Sequence, residues 1–167
     1  MSSIYEYAAI TAPRTIRLMH VYLGDESDPI NLSIVVTTLD AVPDFEAISY
    51  CWGDAQDRCQ VTCDGATLFI TNSLVTALVH FWLSDRPRVL WADAICINQG
   101  SVIEKNCQVL LMPNIYAQAT RTLVWLGVAN DPVYGYVSPT VATSIREALE
   151  LDGSFEQSKN GFIVIYD

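Results

Sequence analysis

Val89-Leu90-Trp91-Ala92-Asp93, with Ser101-Val102-Ile103-Glu104 and Thr122-Leu123-Val124-Trp125-Leu126 after it, decides the fold class. The first and last segments are short apolar runs, the pattern of strands buried on both faces. The segment between them opens like a helix, because a serine followed three residues later by a glutamate has the form of a capping box. Strand, helix and strand in that order imply a crossover between parallel neighbours. The helix is expected to run from Ser101 towards Tyr116 with Ile103, Cys107, Leu110, Leu111 and Ile115 inward. Pro113 removes a donor within it, so a kink or break is expected near 109–112.

Working outward, Asn72 is placed to cap a preceding helix, whose apolar positions Leu74, Ala77, Leu78, Phe81 and Trp82 recur at helical spacing. Arg86-Pro87 closes it. Upstream, Asp64-Gly65 between 60–63 and 67–71 is a hairpin signal. Residues 47–52 read as a strand, and 15–23 and 31–39 as an N-terminal hairpin around the turn residues 24–29. Beyond Asn130 the pattern thins to a loop, a helix over 141–151 and a last strand over 162–166. The expected fold class is α/β: a mostly parallel sheet flanked by helices, carrying an antiparallel N-terminal strand addition. The domain division is an N-terminal extension (1–13), a main domain (14–130) and a C-terminal segment (131–167) packing on it.

Composition bounds the function. The 167 residues suit one domain, and 51% hydrophobic content against 17% charged supplies a core. Nineteen acids against nine bases leave a net charge of −10, which repels a phosphate backbone and disfavours nucleic acid as a partner. No apolar run is long enough to span a bilayer, and no secretory signal opens the chain, so a cytoplasmic protein is expected. Five cysteines form no paired framework. Cys59 and Cys63 lack a second ligand pair, and His20 and His80 are the only histidines, so no metal site is expected.

Three segments are more specific: Phe45-Glu46-Ala47-Ile48-Ser49-Tyr50-Cys51-Trp52-Gly53-Asp54, then Leu90-Trp91-Ala92-Asp93-Ala94-Ile95-Cys96-Ile97-Asn98-Gln99, then Glu104-Lys105 through Gln108-Val109, Met112 and Ile115-Tyr116 to Trp125-Leu126-Gly127. Together they resemble the HET (heterokaryon-incompatibility) domain of filamentous fungi, with its YEALSYxWG, LWIDAICINQ and EKxxQVxxMxxIYxxAxxVxxWLG motifs. The resemblance covers about residues 14–130. It implies a fungal source, a role in non-self recognition ending in programmed cell death, and a fold similar to the TIR domain, a flavodoxin-like sandwich. Some TIR domains cleave NAD through a helical glutamate, so NAD enters as a possible substrate, with no resident cofactor. The chain departs from the family pattern at Gly100-Ser101, where an acid is common, and at Pro113.

The candidate residues follow. Asp54 and Asp93 sit just past predicted strands, where carboxyl ends line the ligand crevice of open sheets. Two such carboxylates suit ribose hydroxyls or acid–base work; turn capping is the alternative for each. Asp93 and Glu104 are the catalytic candidates, although the capping box alone would account for Glu104. Tyr50, Trp52, Asp54, Asn98 and Gln99 are the ligand-binding candidates; Tyr50 and Trp52 share one strand face and could equally pack in the core. Cys96 has no base near it in sequence and reads as a buried thiol. Three functions are carried forward: an incompatibility effector, with NAD cleavage possible; a cofactor-independent enzyme of secondary metabolism that cyclises an apolar metabolite held in an apolar pocket; and a non-catalytic module pairing with other HET-domain proteins through a helix face.

Overall fold

The computed structural model describes residues 3–24, 28–81, 83, 85–125, 127, 155–157 and 163–165, the last two groups by backbone alone. Its elements are β1 (Thr15–Val21), β2 (Asn31–Thr38), a 3-10 turn (Leu39–Ala41), β3 (Glu46–Tyr50), β4 (Arg58–Cys63), β5 (Ala66–Thr71), α1 (Asn72–His80), β6 (Arg88–Trp91), α2 (Asp93–Cys96), α3 (Val102–Gln118), β7 (Arg121–Trp125), β8 (Phe155–Gln157) and β9 (Ile163–Ile165). The strands form one sheet in the order β5-β4-β2-β1-β6-β3-β7-β9-β8.

That sheet is mixed, which corrects the mostly parallel one expected. β6, β3 and β7 are parallel neighbours, and β2 meets β4 in parallel over two residue pairs. All other pairings are antiparallel: β1 with β2 and with β6, β4 with β5, β7 with β9, and β8 with β9. Parallel pairing needs a long crossover, and only the connections that carry α1 or α2 and α3 place a strand parallel beside β3. The N-terminal hairpin is antiparallel as expected. It is also central: Ile16, Arg17, Leu18 and Met19 of β1 are buried in succession, so both faces of that strand are covered.

Local chemistry explains most elements. Asp64 (φ 50) and Gly65 (φ 77) both take left-handed conformations, as a two-residue hairpin turn requires. α1 buries Leu74, Ala77 and Leu78, and Phe81 is buried at its C-cap; Trp82 lies outside the described residues. Asn72 does not cap this helix. Thr71 holds that position without a side-chain bond, and Asn72 accepts the Cys59 thiol at 2.5 Å and donates to Asp57 Oδ1 at 2.5 Å, tying the helix to the start of β4.

α3 departs from its expected shape twice. It runs unbroken through Pro113, because Pro113 and Val109 both face outward, where solvent can take the carbonyl that proline leaves unpaired. Its inward face is Gln108, Leu111, Met112, Ile115 and Tyr116, while Ile103, Cys107 and Leu110 face out. The polar Gln108 wins a core position because its Nε2 donates to the Thr15 carbonyl at 2.8 Å. The expected helix over 141–151 lies outside the described residues, and the last strand is β9. No helix among the described residues is long and apolar enough to cross a membrane.

Candidate functional site

β3 and β6 run parallel in adjacent positions, so the residues just past their carboxyl ends emerge on one edge of the sheet. Trp52 follows β3 and Asp93 follows β6. The indole Nε1 of Trp52 donates to both Asp93 oxygens at 3.1 Å. Burial raises the Asp93 pKa above the usual aspartate value, and the Trp52 hydrogen bond offsets part of that rise. A carboxyl whose proton is held more tightly than an ordinary aspartate's, at the edge of a sheet, is a candidate acid–base group.

Two tyrosines, Tyr50 and Tyr116, lie close enough to Asp93 to feel its charge. Tyr50 ends β3 in register with Trp125, which ends β7. Burial, with the nearby Asp93 charge, raises the Tyr50 hydroxyl well above its ordinary value. Thr71 acts on it as a hydrogen-bonding neighbour, yet neither hydroxyl makes a bond of full geometry. Tyr116, from α3, donates to the Ile48 carbonyl at 3.3 Å and meets the Trp91 ring edge-on at 5.5 Å. Burial and Asp93 push its hydroxyl up to about 12. His80 stacks on Trp125 at 4.6 Å, and its Nδ1 donates to the Thr76 carbonyl at 2.8 Å. Tyr116 was missed as a site residue, because α3, which follows Asp93 in the chain, brings it back beside that carboxylate.

The other candidates are held differently. Asp54 is exposed and accepts the Gln56 amide at 2.9 Å, capping the turn after Gly53. Gln99 donates to the Asp93 carbonyl at 2.8 Å, and Asn98 Oδ1 accepts the Gly100 amide at 3.0 Å, so both staple the 93–101 loop.

Glu104 makes half of the expected capping box. Its amide donates to Ser101 Oγ at 3.3 Å, while its carboxylate turns to Arg17, with Nη1–Oε1 at 2.5 Å and Nη2–Oε2 at 3.1 Å, and to the Asn98 amide at 2.8 Å. The Ser101 amide bonds instead to the Asn98 carbonyl at 3.0 Å. Burial opposes the charge on Glu104, but the bonds from Arg17 and Asn98 outweigh it and lower the pKa. Arg17 is fully buried, lies over the Tyr7 ring at 4.9 Å, and donates to the Ala8 and Cys96 carbonyls at 2.5 and 3.2 Å. Both Glu104 oxygens are therefore engaged, and this carboxylate positions the loop that carries Asn98. Cys96 is buried, and burial pushes its thiol up to about 12, so it is unreactive at neutral pH. No group of three metal-ligating side chains occurs among the described residues.

These features define an α/β domain with an aspartate, bonded to Trp52 and flanked by Tyr50 and Tyr116, at the carboxyl edge of parallel strands. The chain belongs to the heterokaryon incompatibility (HET) family, whose pattern it matches over residues 45–160. It is 34% identical over 142 residues to heterokaryon incompatibility protein 6, OR allele, of Neurospora crassa, an alignment covering 76% of this chain and 21% of that protein. The chain thus spans about a fifth of the length of that relative. No solved structure matches it. Tyr50, Trp52, Asp93, Asn98, Gln99 and Glu104 lie within the matched residues; Arg17 lies before them.

Proposed function

We propose that this chain is the signalling module of a fungal heterokaryon-incompatibility protein, acting in the cytoplasm in non-self recognition and the programmed cell death that follows. The family match across residues 45–160 carries the reading. Within it, Asp93 is the acid–base group and NAD the substrate to be tried first, in the manner of a TIR domain. Tyr50 and Trp52 line the ligand's approach, and Glu104 acts through the loop that it holds. The raised Asp93 pKa and its place past a parallel strand support this role.

The test pairs expression of the chain in a fungal host with nicotinamide release from NAD by the purified protein. Growth arrest and turnover, both lost in Asp93→Asn, are the expected result. Turnover unchanged in Asp93→Asn, or a chain tolerated by the host, would count against the reading.

A second reading, pairing with other HET-domain proteins, is favoured by the outward face of α3, where Val102 and Ile103 are 65% and 81% exposed and Leu110 is 78% exposed. Ile103→Lys with Leu110→Lys should abolish such pairing in a sedimentation assay and leave NAD turnover intact. The cyclising-enzyme reading calls for an apolar pocket; one cavity among the described residues, of about 530 Å³, is lined by Asp44, Glu46, Arg86, Arg88 and Arg121 among apolar residues and does not supply it.

A further inference from the structure

That charged cavity lies at the opposite edge of the same strands. Glu46 opens β3, Arg88 opens β6 and Arg121 opens β7, so three parallel neighbours bring their first residues together. Arg88 grips Glu46 through Nε and, at 2.8 Å, through Nη2, and its Nη1 donates to the Phe81 carbonyl at 2.5 Å. Arg121 Nε bonds to the same carboxylate. Burial opposes the Glu46 charge, but the two guanidiniums prevail and hold its pKa below the ordinary glutamate value.

Two guanidiniums thus share one carboxylate, and all three side chains are fixed in place before any ligand arrives. Arg86 adds a third positive charge from the rim; it has no ion-pair partner among the described residues. Asp44 adds a second negative one. Three guanidiniums against two carboxylates leave one positive charge in a chain whose net charge is −10. Three of the nine basic residues line this one cavity, beside the apolar Phe45, Leu83, Pro87 and Val89.

We propose that this groove binds a small organic monoanion, a carboxylate carried on an apolar or aromatic body. Arg86 meets the carboxylate, in the planar geometry that suits a guanidinium. Arg88 and Arg121, held by Glu46, supply the surrounding positive field, and Leu83, Pro87 and Val89 take the ligand's body. The single surplus charge selects a monoanion over a polyphosphate, which Asp44 and Glu46 repel. About 530 Å³ is within the ordinary range for a small-molecule site. This site is separate from the Asp93 edge and does not depend on the NAD reading.

The experiment is a titration of the ¹⁵N-labelled chain with benzoate, with benzyl alcohol as the uncharged analogue and inorganic phosphate as the anion without an apolar body. Benzoate should shift the Arg88, Val89 and Arg121 amides saturably. Benzyl alcohol should bind up to about fivefold more weakly, the upper end for a charge contact at a partly exposed site, and phosphate should bind more weakly than benzoate for want of an apolar body. Arg86→Gln should weaken benzoate by a similar factor and leave benzyl alcohol unchanged. Trp52→Phe, at the far edge, should leave benzoate binding as it is. Equal binding of benzoate and benzyl alcohol, phosphate binding better than benzoate, indifference to Arg86→Gln, or no saturable shift would each overturn the assignment.

Discussion

Replacing Glu104 with glutamine would leave the Arg17 guanidinium, 0% exposed, without its counter-charge. Removing one partner of a buried pair costs about 3–5 kcal/mol, far more than the loss of a helix cap at about 1 kcal/mol. Urea unfolding of Glu104→Gln decides between the two roles: a loss near the larger figure is expected, whereas one near the smaller would reduce Glu104 to its capping function. The Ser101–Glu104 spacing was legible in the sequence and its hydrogen bond formed. Arg17 lies 87 residues upstream of Glu104, so no local spacing could reveal the ion pair. Thiol chemistry gives a second residue-level prediction. Cys51 and Cys107 are exposed, whereas Cys63 and Cys96 are buried with pKa values pushed up to about 12 by desolvation. An aromatic disulfide reagent should therefore label Cys51 and Cys107 in the native protein, and Cys63 and Cys96 only after unfolding.

At the scale of elements, α3 carries apolar residues on two faces, and periodicity could not choose between them. The stripe of Ile103, Cys107 and Leu110 has helical spacing just as the buried face does. Tertiary contacts decided the rotation: Gln108 reaching Thr15, Tyr116 reaching Ile48, and Glu104 reaching Arg17 all lie on the other side. Since α3 passes straight through Pro113, Pro113→Ala should restore one backbone hydrogen bond without moving the helix. A stabilisation of up to about 3 kcal/mol is expected from helix propensity, read as a raised midpoint in urea. A lowered midpoint would mean that proline's restriction of the unfolded chain dominates. The β4–β5 turn makes the converse case. Gly65 has open space around its Cα but a φ of 77°, so Gly65→Ala should cost about 1 kcal/mol through backbone conformation alone.

The molecule as a whole should be acid-labile, and the sign follows from three carboxyls. Glu46 and Glu104 have pKa values lowered from 4.5. Their stabilisation is present above that value and is lost as pH falls through their folded values. Asp93 is raised from 3.8, so its contribution runs the other way, being complete below 3.8 and lost as pH rises through its folded value. Two arginine-bound glutamates outweigh one partly buried aspartate. Stability should fall steeply below pH 4.5, and Glu104→Gln should flatten that slope in a urea midpoint-against-pH series.

The sequence by itself determined the α/β class, the strand segments, the Asp64-Gly65 hairpin, the family, and the motifs that hold Tyr50, Trp52 and Asp93. Each is written in local periodicity, turn chemistry or motif order, which need no knowledge of distant contacts. Only the tertiary structure decided the mixed sheet, with β1 between β2 and β6, and the burial of Arg17. It alone joined Trp52 to Asp93, turned Glu104 away to Arg17, and gathered Glu46, Arg88 and Arg121 at the opposite edge. The physical reason is the same in each case. Strand order and the pairing of buried charges are settled by which partner, tens of residues away, can satisfy a group that has left water.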